Sequence, residues 1–269
     1  MMDWEIYLQG LYAVLTLSFF TWFISLLKKD VSIVDITWSL MLVLASTIYI
    51  LSTNVQSREW LIFTLVVIWG VRLALYITLR SWGEAEDSRY QDIRKKYSPN
   101  FPLKSLFIIF VFQAVLAWVL SLPLLLVMTN PSNWVLLDYL AITLVLFGII
   151  YESVADYQLY RFKCLDKNKG KVMDAGLWAH SRHPNYFAES MVWWGLFLFA
   201  LAQGYWWVVI SPLMITYLLL KFSGVTLMEE TITERRPQYR QYIVNTNAFL
   251  PWPRKKLNPE NNPLNEARR

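Results

Sequence analysis

Cysteine is nearly missing from this chain: Cys164 stands alone among 269 residues. An intrachain disulfide is therefore impossible, and no Cys-rich metal site exists. Histidine is almost as scarce. His180 and His183 fall in an H-x-x-H spacing without the H-E-x-x-H that a zinc helix uses, so no metal is expected. Charge is sparse too, at 17% against 56% hydrophobic residues, which removes most of the polar surface that a soluble protein of this length carries. No G-x-G-x-x-G occurs, so any dinucleotide would be held without a Rossmann turn. The opening MMDWEIYLQG is acidic where a cleaved leader is basic, and the first apolar run reads as a retained helix.

What is present is apolar residue in blocks. Seven segments, at about 6–27, 33–52, 60–79, 105–128, 134–160, 186–203 and 205–222, each approach the roughly 20 residues that a bilayer-spanning helix requires. The expected fold is an all-α membrane protein of about seven transmembrane helices. Lys and Arg gather in the first, third and fifth connections and after Arg235, whereas the second, fourth and sixth hold only Arg58. That alternation puts the N-terminus outside and the C-terminus in the cytoplasm. It also explains the net charge of +5 by topology, so no nucleic acid is expected. Trp4, Trp60, Trp134, Trp206 and Trp207 fall at one interface, Pro123 should bend the fourth span, and residues 81–103 allow a short surface helix. Residues 1–252 read as one membrane domain and 253–269 as a disordered tail, with 228–242 continuing the last span as helix.

Ionisable groups inside spans cost a few kcal/mol each and need a reason. Asp35 lies near the start of the second span, Arg72 and Tyr76 near the end of the third, and Glu152, Asp156 and Lys163 share a stripe of the fifth. Asn185 and Glu189 share a face at the start of the sixth, behind Arg182 and His183. On the topology above these groups converge on the cytoplasmic side, as a pocket would require. A helix start beside Arg182 and His183 suits an anion, and Pro184 suits a first turn. The plainer readings are that Lys163 snorkels, that Asp35 pairs with Arg72, and that Tyr239 and Tyr242 are interfacial anchors.

The run GLWAHSRHPNYFAESMVWWG, with ESVADYQLYRFK before it and GVTLMEETITERRPQYRQYIVNTNAFLPW after it, resembles the steroid 5-alpha-reductase superfamily, in particular its DUF1295 branch. VSIVDITWSL and WGVRLALYITLRSWGEAEDSRY extend the resemblance over residues 31–252, with the reductase-like part at about 105–252. It implies an NADPH-dependent reductase of a carbon–carbon double bond in a sterol- or lipid-like enone drawn from the bilayer. The implied cofactor contacts are Arg72, Asp156, Lys163, Asn185, Tyr186 and Glu189, with tail residues closing the nicotinamide pocket. Arg182, Lys163 and Arg236 are expected to neutralise the phosphates, with His183 beside them. Asp35 and Tyr76 are the candidates for polarising the substrate carbonyl, Tyr76 or a protonated Asp35 donating to its oxygen. The R-H-P-x-Y piece alone also occurs in isoprenylcysteine and phospholipid methyltransferases, so an S-adenosylmethionine-dependent methyltransferase is the competing reading. A scaffold or small transporter is weaker, because the intramembrane charges gather at one face instead of the midplane.

Overall fold

The computed structural model describes residues 2–222, 229, 232, 233, 236 and 238–254. Every regular element among them is helical. In order they are α1 (Trp4–Lys28), α2 (Ile33–Leu51), α3 (Ser57–Ser81), α4 (Ser88–Lys96) and α5 (Phe101–Ser105). A π segment (Leu106–Val111) joins α5 to α6 (Phe112–Leu120), and α7 (Leu122–Thr129) and α8 (Leu136–Lys163) follow. Beyond these come α9 (Pro184–Ala202), α10 (Ile210–Tyr217), a second π segment (Leu218–Phe222) and α11 (Tyr239–Asn245). Five helices are long and apolar enough to cross a membrane: Trp4–Lys28, Ile33–Leu51, Ser57–Ser81, Phe101–Leu120 and Leu136–Lys163. The sixth expected span forms α9, whose first half carries Asn185, Glu189 and Ser190. The seventh is a shorter apolar stretch, Trp206–Lys221.

Local chemistry sets the ends. Asp3 caps α1 by accepting from the Ile6 N–H at 3.1 Å, and Lys29 in the left-handed region (φ 56°) closes it. Gln56 and Glu59 form a reciprocal capping box at the start of α3. Pro123 does more than bend its span. The helix stops at Ser121 and restarts with Pro123 in the first turn of α7, since its ring excludes the carbonyl four residues back. The short surface helix expected within 81–103 is α4. All five belt tryptophans are exposed. Residues 228, 230, 231, 234, 235 and 237 and all of 255–269 lie outside the described residues. Arg254, inside the stretch read as a tail, pairs with Asp174 at 2.9 Å.

The chain divides into two compact units, Met1–Tyr139 with Leu196–Ser211 and Leu140–Gly195 with Pro212–Arg269. In the first, α2 is the hub, packed on α1, α3, α6 and α7. Polar side chains stitch it through backbone carbonyls: Ser39 donates to Gly70 at 2.8 Å and Ser18 to Phe110 at 2.7 Å. Tyr7 and Trp118 stack with centroids 4.2 Å apart and donate to each other's carbonyls. The first unit also holds a charge cluster that the sequence does not announce. Arg58 donates through Nε and a terminal nitrogen to Asp138 at 3.0 and 2.6 Å and reaches Glu59 at 3.3 Å, all three side chains within 1% of full burial.

In the second unit, α8 and α9 cross antiparallel at two glycines. A Cβ on Gly148 would stand 2.8 Å from the Ala188 carbonyl and 2.7 Å from a Val192 methyl. One on Gly195 would stand 3.0 Å from the Ala141 carbonyl and 2.6 Å from a Val145 methyl. Each helix thus offers a notch that receives the other's valine, and close approach is the reason for glycine. Tyr151 and Phe187 extend the seam edge-to-face at 5.9 Å. Continued one turn further, the same antiparallel register sets Glu152 level with Tyr186, and Asp156 follows one turn on, towards the loop before α9.

Candidate functional site

The polar end of that seam is closed by the loop before α9. Gly176 (φ +62°) starts it in a conformation other residues rarely adopt, and Gln158 on α8 accepts from the Leu177 N–H at 2.9 Å. The Trp178 indole donates to the Ala155 carbonyl at 3.0 Å, pinning the loop to α8. Its next residues are held from the other side by the C-terminal segment. Ser181 donates to the Phe249 carbonyl at 2.8 Å, the Trp252 N–H to His180 at 2.9 Å, and the Tyr242 hydroxyl to the Trp178 and Ser181 carbonyls. Burial, then the neighbouring Tyr239, pushes the Tyr242 phenol up, so it stays a donor.

Arg182 lies at the centre of this clamp. Its Nε and one terminal nitrogen bind both oxygens of Glu229, at 2.6 and 2.8 Å. Its other terminal nitrogen donates to the carbonyls of Ile243 and Thr246, and its backbone N–H to Asn247 at 2.9 Å. His183 Nε2 is 3.1 Å from Glu229, and its ring stacks on Tyr186, centroids 5.3 Å apart and planes 8° from parallel. The sequence offers Arg182 and His183 to an incoming anion; here Glu229 and the chain's own carbonyls occupy Arg182. Glu229 reads in the sequence only as the close of the last span, because its partnership with Arg182 joins positions 47 residues apart.

Around the clamp, Asp156, Glu152 and Glu189 are buried and Asn185 and Tyr186 half-buried. The Trp193 indole donates to Glu189 at 3.0 Å, one turn along α9. Lys163 ends α8 exposed, and Arg236 donates to the Lys171 carbonyl at 2.7 Å. Unit two therefore brings Asp156, Arg182, His183, Asn185, Tyr186 and Glu189 to one end of the α8–α9 seam.

The other candidates belong to unit one. Asp35 sits in the first turn of α2, where its oxygens accept from Tyr90 at 2.5 Å and Arg89 at 2.9 Å. Its partner is thus Arg89 and not the Arg72 that helix spacing offered, because α4 folds back over the start of α2. Burial and then the Asp35 charge push the Tyr90 phenol well up, which keeps it a donor. Each oxygen of Asp35 thus already accepts one hydrogen bond, and a protonated Asp35 would keep acceptor capacity beside its O–H. Arg72 and Tyr76 lie half-buried on α3, with the Arg80 guanidinium 5.6 Å above the Tyr76 ring. No group of three or more potential metal ligands occurs among the described residues.

The clamp predicts acid sensitivity. Burial alone would raise the Glu229 carboxyl, but hydrogen bonds from His183 and Arg182 overcome it and hold the group below its ordinary 4.5. A depressed carboxyl stabilises fully above its unfolded value and loses that contribution as pH falls through the folded one. Thermal stability should therefore fall as pH drops below about 4.5, and Glu229→Gln should flatten that part of the profile.

Helices of spanning length, with a polar loop folded onto the end of one crossing, define a multi-pass helical membrane protein. The chain belongs to the family described as "Protein of unknown function (DUF1295)", whose model matches residues 21–246. It is 29% identical over 278 residues to an uncharacterized protein of Schizosaccharomyces pombe, covering 91% of this chain and 79% of that one. No solved structure matches the chain.

Proposed function

We propose that this protein is an integral membrane reductase that uses NADPH to reduce a carbon–carbon double bond in a hydrophobic, sterol- or lipid-like enone. The observation that carries the reading is the register of the α8–α9 seam. It sets the buried carboxylate Glu152 level with Tyr186, with Asp156 one turn on towards Arg182's loop, within the motif that resembles the steroid 5-alpha-reductase superfamily. The donor set fits a dinucleotide. Asn185 and Asp156 can hydrogen-bond ribose and amide groups, Glu189 is fixed by Trp193, and the His183–Tyr186 pair offers a flat aromatic face. Arg182 and His183 position this loop through Glu229, which leaves Lys163 and Arg236 as the cations for phosphate.

NADPH supplies the hydride when bound; the protein aligns, excludes water and stabilises charge on the substrate oxygen. Tyr76, or a protonated Asp35 that still accepts from Tyr90 and Arg89, is assigned as the donor to that oxygen. Arg72 belongs to the cofactor set by resemblance.

Thermal unfolding of the purified protein with NADPH and with S-adenosylmethionine tests the reading. NADPH at a hundredfold excess over Kd should stabilise by about 2.7 kcal/mol. Asn185→Ala and Glu189→Gln should abolish the shift without lowering the ligand-free midpoint. Asp35→Asn and Tyr76→Phe should keep the shift and lose turnover. Stabilisation by the methyl donor alone rejects the proposal in favour of a methyltransferase.

The proposed topology is seven spans with the N-terminus outside, a cytoplasmic C-terminus and the cofactor site on the cytoplasmic side. The loop charges and exposed interfacial tryptophans support it. Cys164, exposed just past the end of α8, is a built-in reporter because no other cysteine competes with it. A membrane-impermeant maleimide should label it in inside-out vesicles and not in right-side-out ones. The opposite pattern reverses the orientation.

A further inference from the structure

We infer that unit one carries a binding site for an anionic phospholipid, with the headgroup on a ring of four lysines and an acyl chain in a groove along α1. The groove, about 460 Å³, lies between Tyr12, Leu15, Phe19 and Phe20 of α1 and Leu106 and Val111 at the two ends of the first π segment. That volume is within the roughly 300–1,000 Å³ of small-molecule sites. The walls are apolar and aromatic, which suits a hydrocarbon chain.

The charge at its end specifies the occupant. Three hydrogen bonds gather the ends of α1, α4 and α5: Arg94 to the Lys29 carbonyl at 3.3 Å, Lys104 to the Tyr97 carbonyl at 3.1 Å, and the Trp22 indole to the Pro102 carbonyl at 2.9 Å. Lys28, Lys29, Lys96 and Lys104 are thereby assembled, all exposed. The acids nearby are already engaged. Glu86 is bound by Arg94 and the Val31 N–H, Asp87 by Arg89, Asp92 by Lys95, and Asp30 by the Ser32 N–H and hydroxyl. Among the described residues none of the four lysines forms an ion pair, and of these acids only Asp30, whose partners are neutral, keeps a charge unmatched by another cation, so the cluster carries a positive excess.

Leu106, on the groove wall, is two residues from Lys104. Phe20, on the facing wall, lies about 12 Å along the helix from Lys28, at 1.5 Å per residue. A phospholipid whose phosphate meets the lysines therefore lays its chain into the groove. Loop lysines explained by topology alone would require neither the groove nor the three hydrogen bonds that close the ring.

The test is native mass spectrometry of the full chain after exchange into phosphatidylglycerol or phosphatidylcholine of identical acyl chains. The protein should retain phosphatidylglycerol in preference. Lys28→Gln, Lys29→Gln, Lys96→Gln and Lys104→Gln should each lower its affinity roughly fivefold while leaving phosphatidylcholine unaffected. Thr16→Trp, which fills the groove, should reduce retention of both lipids. All of these side chains are exposed, so folding should survive, as an unchanged unfolding midpoint in detergent would show. Equal retention of the two lipids, or an unchanged preference when all four lysines are replaced by Gln together, overturns the headgroup assignment. Undiminished binding in Thr16→Trp overturns the groove.

Discussion

Arg58→Met will destabilise the protein by about 3–5 kcal/mol, the loss expected when one partner of a buried ion pair is removed. Among the described residues Arg58 is the one cation paired with Asp138 and Glu59, and all three are sealed from solvent. Asp138 also accepts from the Val135 N–H at 2.9 Å, and Glu59 from Gln56 and Ser132 at 3.1 and 3.3 Å. Those backbone donors cannot replace a guanidinium that additionally binds the Phe199 carbonyl at 3.0 Å. The variant would leave two carboxylates stranded in an apolar interior. A large drop in the unfolding midpoint in detergent is the expected result, and Arg58→Met with Asp138→Leu should recover part of it, since the double change leaves fewer bare charges. An unaltered midpoint in the single variant would show that the cluster carries no stability.

Arg182→Lys is the second large effect, at about 3 kcal/mol or more. Lysine keeps the charge and loses the fork that holds both Glu229 oxygens while reaching two carbonyls. Because those carbonyls belong to Ile243 and Thr246, the damage should appear at a distance from the substitution. Backbone amides of 239–254 should exchange their hydrogens faster, as read by deuterium uptake. That readout separates two roles. A residue that contacts only the cofactor would lose NADPH affinity with the segment still protected, whereas a clamp loses protection first.

Apolar runs located four of the five helices long and apolar enough to span within a few residues, because lipid demands about 20 apolar positions whatever surrounds them; the fourth, expected to 128, ends at Leu120. The crowding of polar groups at Asp174–Gly195 was equally legible, since Arg, His, Asn and Glu next to an apolar helix break the pattern openly. What the sequence hid were partners separated by long stretches of chain. Arg58 reads as a stray loop cation until Asp138 is seen 80 residues on, and Asp35 pairs with Arg89 because α4 folds back. Helix periodicity reports faces, and it is silent about which faces meet. The interruption at Ser121 was only half legible: Pro123 announces a disturbance, and its position in the first turn of α7 makes it a restart.

The valine–glycine exchange between α8 and α9 has an implication for how this protein can change. A one-residue insertion between Gly148 and Asp156 would rotate everything beyond it by about 100° at 3.6 residues per turn. The carboxylates beyond it would then turn away from the face they share with Tyr186, with no clash in the crossing to signal the error. Selection on length should therefore fall hardest on this short interval.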